Sequence, residues 1–167
     1  MSQVAIISDT HIPGRADAIP GPFEERIRLA DHVIHAGDVT SPEALATIRD
    51  LASGTLVAVA GNMDGTRLRL PTTETLVVGE TTFVVTHGTG DPTTYRERVA
   101  RTVRETAGSD AVGVAGHTHE VLDTVHDGVR LLNPGSVTGA APADLATMMT
   151  ATVDADEMTV TVHVDEV

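Results

Sequence analysis

The short segment at residues 115–119 contains the side chains most able to do chemistry: Gly116 is followed by His117 and His119. Two histidines spaced i, i+2 in extended backbone project to the same side, where their imidazoles can share a metal ion. Alone, such a pair is more often two surface or half-buried histidines than a metal site. Its interpretation therefore depends on the rest of the chain.

Five successive apolar runs end in residues of this kind. The runs at 4–8, 32–36, 55–60, 82–86 and 111–115 are followed by Asp-Thr-His, Gly-Asp, Gly-Asn-Met-Asp, His-Gly and Gly-His-Thr-His. Each polar residue has a simpler role when taken singly, as a turn former, a cap or a buried histidine. Five coincidences favour one shared site instead. The candidate metal ligands are Asp9, His11, Asp38, Asn62, His87, His117 and His119.

The elements that position these residues are strands alternating with helices. Carboxyl ends of strands line the ligand crevice in open α/β sheets, so the five endings are expected to converge. Apolar spacing of three and four predicts helices at 22–31, 42–52 and 93–106. Further strands are predicted at 75–78, 121–126, 129–132, 144–153 and 158–164. The length suits one domain, residues 1–167.

The composition limits the chemistry. There is no cysteine, which excludes disulfides and thiolate ligands; oxygen and imidazole donors suit Mn, Fe, Zn, Ni or Co. Two Phe, one Tyr and no Trp leave almost no aromatic platform for stacking bases. We see neither a leader-like segment nor a run of 18 apolar residues, so we predict a soluble cytoplasmic protein with no membrane partner.

The charge is strongly asymmetric. There are 24 acidic residues against 11 basic ones, all of them arginine, for a net charge of -13. This balance argues against binding to duplex DNA, which needs cations on phosphates. An acidic surface without lysine also predicts a protein adapted to high salt, where screening removes self-repulsion. The alternative is an ordinary acidic protein whose GC-rich coding sequence favours arginine.

The motifs S-D-T-H-I-P, H-A-G-D-V, G-N-M-D, T-H-G, G-H-T-H and N-P-G-S occur in this order over residues 4–139. In sequence and spacing they resemble the calcineurin-like metallophosphoesterases, above all the small single-domain branch of bacterial and archaeal phosphodiesterases. The resemblance implies an α/β (α+β) fold, a four-layer sandwich of two mixed β-sheets flanked by helices.

The same resemblance implies two divalent metal ions that activate a hydroxide for attack on phosphorus. Manganese is the expected metal, with Ni, Zn, Fe and Co as alternatives. Asp64 and His35 are candidates for supporting the ligands, although the role of a buried strand residue suits His35 better, and no side chain is assigned as the catalytic acid or base. By resemblance, one ion is held by Asp9, His11, Asp38 and His119, and the other by Asp38, Asn62, His87 and His117.

One position departs from the family pattern. Many members carry Gly-Asn-His, whereas here Met63 follows Asn62, and a thioether cannot donate a proton. Members without this histidine resemble diesterases, so we expect a small phosphodiester substrate. Arg15, Arg67 and Arg69 are possible phosphate contacts, although a solvated surface role suits each of them better. The alternative function is a non-catalytic metal-binding scaffold of the same fold, and homo-oligomers are possible.

The high-salt hypothesis predicts that thermal stability rises with KCl. Because screening weakens repulsion among the excess carboxylates, the melting temperature in molar KCl should exceed that in dilute buffer. Circular dichroism melting curves at the two salt concentrations measure this. Equal melting temperatures would contradict the hypothesis.

Overall fold

The apolar runs pair into two five-stranded sheets, described by a computed structural model for residues 1–165. The first sheet has the order β10-β9-β1-β2-β3 and the second β4-β5-β6-β8-β7, and each mixes parallel and antiparallel pairs. The strands are β1 Ser2–Ile7, β2 His32–His35, β3 Thr55–Ala58, β4 Thr73–Val78, β5 Thr81–Thr86, β6 Val112–Val114, β7 Val121–His126, β8 Val129–Pro134, β9 Ala146–Asp154 and β10 Glu157–Asp165.

Three helices cover the outer faces of the sheets: α1 Gly21–Leu29, α2 Pro42–Leu51 and α3 Tyr95–Ala107. Helices α1 and α2 pack on the first sheet, with Phe23 and Ile48 in its outer core. Helix α3 packs on the second sheet through Val99 and Val103. A third aliphatic core, which includes the fully buried Ile6, lies between the sheets. The result is the predicted four-layer sandwich.

Local sequence explains where the helices begin. Ser41 caps α2, since its hydroxyl accepts a hydrogen bond from the Ala44 amide at 3.1 Å, and Pro42 supplies the first helical residue. Helix α3 buries Tyr95, Val99 and Val103 at successive turns and exposes its charged residues. None of the helices within residues 1–165 is long and apolar enough to cross a membrane.

The predicted elements all occur, with bounds shifted by a few residues. The strand predicted at 129–132 continues through Asn133 and Pro134, because it pairs with β7 over its whole length. The predicted end of this strand at residue 132 is therefore two residues too early. Strands β1, β2 and β3 run parallel, as do β5 and β6, so five carboxyl ends meet at one edge of the sandwich.

Candidate metal centre

The carboxylate of Asp9 lies at the centre of the converging strand ends and is fully buried. Its Oδ2 accepts hydrogen bonds from the Ser8 hydroxyl at 2.7 Å and the His117 amide at 3.1 Å. Its Oδ1 has no hydrogen-bond partner within residues 1–165. A buried carboxylate oxygen without a donor is costly, and a cation is the partner that would remove the cost.

Three imidazoles face this unpaired oxygen. The Nε2 atoms of His119, His11 and His87 lie 3.3, 3.7 and 3.8 Å from Asp9 Oδ1. On the opposite side of two of these imidazole rings, Nδ1 of His87 lies 2.6 Å from the Ala36 carbonyl, and Nδ1 of His119 lies 2.8 Å from the Ala140 carbonyl. A carbonyl can only accept, so each Nδ1 carries the proton and each Nε2 presents a lone pair to the centre. Metal-binding histidines are commonly oriented in this way.

Asp38 lies between two groups of histidines, one that contains His87 and one that contains His11. Its Oδ2 is 3.2 Å from His87 Nε2 and 3.5 Å from His11 Nε2, while its Oδ1 accepts the Met63 amide at 2.8 Å. A Cβ on Gly61 would lie 2.1 Å from Asp38 Oδ1, so only glycine allows this close approach. Asp38 thus presents one oxygen to both sides of the centre.

Asn62 and His117 form the outer rim. Asn62 Oδ1 lies 3.1 Å from both His87 Nε2 and His117 Nδ1. The rings of His87 and His117 meet edge to face, with centroids 5.2 Å apart. On the other side His119 contacts His11, with their Nε2 atoms 3.2 Å apart. The structure therefore brings all seven predicted ligands together and places His117 and His119 in different groups.

The two histidines reach different groups because their backbone is not extended. His117 has φ 74° and His119 φ 62°, and both follow the end of β6. The prediction that they project to one side from extended backbone is wrong, since the left-handed turn rotates the rings apart. Asp9, His11 and Asp38 also have positive φ, between 49° and 60°. Such strain concentrates at functional sites, where surrounding contacts must maintain it.

A buried network holds the histidine loop from behind. Asn133 donates to the Gly116 carbonyl at 3.0 Å, to the Thr118 hydroxyl at 3.0 Å and to the Tyr95 hydroxyl at 3.1 Å. Tyr95 in turn donates to the Gly116 carbonyl at 2.7 Å. Sequence reasoning placed Tyr95 in the core and missed this contact. For Asn133, the Asn-Pro-Gly-Ser motif is the one feature of the sequence that indicates a role near the site.

Asp64 and His35 contact backbone next to the candidate ligands. Asp64 accepts the amides of Asp38, Thr40 and Gly61 at 2.8 to 2.9 Å, which fixes the turn that carries Asp38. His35 accepts the Gly37 amide at Nδ1, so its Nε2 donates to the Thr10 hydroxyl at 2.7 Å. Both side chains act on backbone next to the ligands.

The site shifts the pKa values of its own groups. Burial would raise the pKa of Asp9, but the imidazoles of His11, His119 and His87, which become donors and cations when they are protonated, outweigh burial and hold this pKa well below its usual range. Burial would lower the pKa of His87, but the Asp38 carboxylate raises it. Burial and the nearby His87 lower the pKa of His117. Since protons and metal compete for these imidazoles, metal affinity must fall at acidic pH.

The predicted phosphate contacts lie on the periphery. The Arg15 guanidinium donates to the Ala141 carbonyl at 3.0 Å, and its charge slightly opposes protonation of His119. Arg67 and Arg69 are exposed at the 3-10 turn Thr66–Leu68 and its end. The structure thus brings Arg15 nearer to the centre than the notion of a solvated surface residue suggests, and a phosphate contact stays a prediction for all three arginines.

The ligand chemistry fits divalent cations. Two sets of three donors have ligand atoms within 4.8 Å of one another: Asp9 with His11 and His119, and Asp9 with Asp38 and His87. Carboxylate oxygen and neutral imidazole suit Mn, Fe, Co, Ni and Zn. The sets share Asp9, and Asp38 also reaches toward His11, so two carboxylates lie between the groups. The resemblance assigns only Asp38 to both groups of ligands, whereas in the structure Asp9 belongs to both sets of donors.

Replacing Asp64 with asparagine should weaken both the fold and metal binding. An amide nitrogen facing backbone N–H groups leaves a donor unpaired, at about 1–3 kcal/mol in the free energy of unfolding. Metal affinity should fall about 10-fold to 100-fold because Asp38 loses its support. Urea unfolding and Mn²⁺ titration measure the two effects. Asp110→Asn, at an exposed position, is the control, and equal metal affinity in all three proteins would contradict this role.

His35 should make the metal-free protein less stable in acid. Burial lowers its pKa from 6.5 to about 4, so, as the pH falls, the unfolded chain takes up a proton at a higher pH than the folded protein does. Its contribution is complete above pH 6.5 and is lost as pH falls toward 4. Between about pH 7 and about pH 5 the wild type should lose about 2 kcal/mol more than His35→Gln. Urea unfolding at each pH measures this, and an NMR titration of His35 centred near 6.5 would contradict it.

Comparison with known proteins agrees with the geometry. Among curated proteins, a probable metallophosphoesterase of Methanocaldococcus jannaschii is 38% identical over 136 residues, covering 81% of this chain and 68% of the relative. One of Methanothermobacter thermautotrophicus is 34% identical over 152 residues, covering 87% and 83%. Among solved structures, Vps29 from Entamoeba histolytica in complex with Zn²⁺ is 27% identical with a TM-score of 0.78, covering 99% and 98% of the two chains.

A family model describes the same region. The calcineurin-like phosphoesterase superfamily domain matches residues 2–156, which include all seven candidate ligands and the strands β1 to β9. Its extent exceeds the residues 4–139 over which the motifs alone carried the resemblance. The chain is therefore a member of the calcineurin-like phosphoesterase superfamily.

Proposed function

We propose that this protein is a metal-dependent phosphodiesterase with two divalent ions, manganese being the expected metal. One observation carries the proposal: Asp9 Oδ1 is buried without a hydrogen-bond partner and is surrounded by imidazole Nε2 atoms at 3.3 to 3.8 Å. The seven candidate ligands provide enough oxygen and nitrogen donors for two ions. Their role as ligands is part of the proposal.

The residues of the chain have distinct tasks in this proposal. Bound divalent ions supply Lewis-acid activation of water and neutralise phosphate charge. Asp9 and Asp38 would supply negative charge to the bound ions, and Asn62 with His117 would form the side open to substrate. His87 and His119 keep their Nδ1 protons on backbone carbonyls, so their Nε2 lone pairs remain available. The left-handed loops hold these groups before substrate arrives.

The preference for a diester rests on Met63. Its backbone amide holds Asp38, whereas its side chain is 51% exposed at the rim beside Asn62. A thioether offers no proton to a leaving group. Substrates whose leaving group needs little protonation, such as aryl phosphodiesters, should therefore react best. An alkyl leaving group, in a diester or a monoester, would need a proton from another donor. The preference for a diester over a monoester follows the family members that lack a histidine at this position.

A scaffold is the second candidate, because the chain also resembles Vps29, a vacuolar protein sorting protein. The network of Asp64, Tyr95 and Asn133 would stabilise the fold in either case. The complete set of inward-facing imidazoles favours catalysis, since a scaffold has no need of strained loops that converge on one carboxylate.

The proposal predicts that hydrolysis of an aryl phosphodiester depends on the ligands. In molar KCl with Mn²⁺, Ni²⁺ or Zn²⁺, the wild type should cleave the diester faster than the monoester. Asp38→Ala and His117→Ala should each reduce kcat/KM by at least about a hundredfold, since even supporting residues of metal sites are worth 10-fold to 100-fold. Release of the chromogenic phenol measures the rates.

Matched controls separate site effects from folding. His126→Ala removes a half-buried histidine on β7, and Asp110→Ala removes an exposed carboxylate; both should retain wild-type activity. Activity that survives Asp38→Ala and His117→Ala would contradict the site. Absence of activity with every metal, together with tight binding of a protein partner, would favour the scaffold.

A further inference from the structure

We propose that the natural substrate is a phosphodiester with a second anionic group, which binds beside His87 and is recognised by Arg101. This inference rests on the proposed phosphodiesterase function and adds the substrate class. It comes from a cavity of about 370 Å³ whose wall includes the candidate ligand His87 and the adjacent Gly88. The cavity therefore shares one wall residue, His87, with the metal centre.

The lining of this cavity suits an anion. Four threonines and two arginines, Arg98 and Arg101, contribute to its wall, and no aspartate or glutamate of residues 1–165 does so. Helix α3 carries four of the eleven arginines of the chain. In a protein with net charge -13, this is a local reversal of sign. Complementary charge at a binding surface favours an anionic ligand there.

Two other cavities have the reverse character. One of about 170 Å³ next to Thr10 is lined by Asp17, Glu24 and Glu43. Another of about 440 Å³ is lined by Asp144 and Asp165. These carboxylates would repel a second anion from both cavities. The cavity beside His87 therefore suits the additional anionic group better than either of them.

The two arginines have different tasks. Arg98 donates to the carbonyls of Gly88, Thr89 and Asp91 at 2.6 to 3.2 Å, so it fixes the loop after His87. These partners satisfy its N–H groups but carry no net charge. Its positive charge therefore contributes to the electric field in the cavity, but its hydrogen bonds to the loop prevent it from turning toward a ligand.

Arg101 is the residue available to contact the ligand. Its guanidinium makes one ion pair, with Glu97 one turn earlier at 3.4 Å, and both side chains are more than half exposed. Exposed pairs of this kind are weak and readily exchanged for a better partner. A phosphate or carboxylate accepts two hydrogen bonds from arginine in a planar arrangement. Arg101 can therefore turn from Glu97 to the ligand without breaking the core.

Binding of two small phosphates tests the inference independently of turnover. Calorimetry on the Mn²⁺-loaded protein compares propanediol bisphosphate with propyl phosphate, at the lowest KCl concentration that keeps the protein folded. The bisphosphate should bind about tenfold more tightly to the wild type. Arg101→Gln should remove this advantage and leave propyl phosphate binding unchanged. Arg104→Gln, on the same helix but outside the cavity, should keep it.

Turnover tests the same point on the substrate side. Two para-nitrophenyl phosphodiesters of propanediol differ only in whether the distal hydroxyl is free or phosphorylated. The phosphorylated one should have a KM about tenfold lower in the wild type, and the difference should shrink as KCl screens the charges. Arg101→Gln should raise only this KM and leave both kcat values unchanged.

Each outcome has a definite meaning. Equal affinity of the wild type for the two phosphates would overturn the inference, and so would an equal loss of the bisphosphate advantage in Arg101→Gln and Arg104→Gln. If neither diester were hydrolysed but the bisphosphate preference persisted and required Arg101, the proposed function would fail while the anion site stood. Hydrolysis of both diesters with equal KM would leave the phosphodiesterase function intact and overturn the second anion site.

Discussion

The carboxylate of Asp9 joins the two sheets, and the rest of the site depends on it. It follows β1 of the first sheet, and its Oδ2 accepts the amide of His117, which follows β6 of the second. Ser8 holds the same oxygen, so the carboxylate cannot rotate. The remaining oxygen therefore points into the space between the sheets, where the imidazoles converge. One side chain thus sets both the sheet-to-sheet contact and the position of a ligand.

Burying this charge has a cost that the surroundings must offset. Hydrogen bonds from Ser8 and His117 stabilise the ionised form, and the imidazoles supply further donors when they are protonated. Burial lowers the pKa values of His87 and His119, but the nearby carboxylates raise them by more, so protons and metal are alternative partners for the same oxygen. Metal binding and proton release are therefore linked through Asp9.

Much of this arrangement could be predicted from the sequence, because strand ends and ligand types coincide along the chain. The side-chain period of two could not predict how His117 and His119 separate, since that depends on positive φ values set by tertiary contacts. The role of Tyr95 was also hidden: its spacing with Val99 marks a core residue, and only the fold shows that its hydroxyl reaches Gly116. Local patterns specify elements, whereas hydrogen bonds between distant loops need the structure.

The division between support and ligands explains how one fold can serve different functions. Asp64 and Asn133 bind backbone groups and would hold the loops whether or not a metal is present. The inward-facing imidazoles of His87 and His119 add one backbone contact each, through Nδ1 to the Ala36 and Ala140 carbonyls, whereas their Nε2 atoms contact only other candidate ligands. Loss of one of these histidines would remove a candidate ligand and one backbone contact, while the contacts of Asp64 and Asn133 would remain. A chain that retains both sets, with strained loops aimed at one unpaired oxygen, is built for metal chemistry rather than for the fold alone.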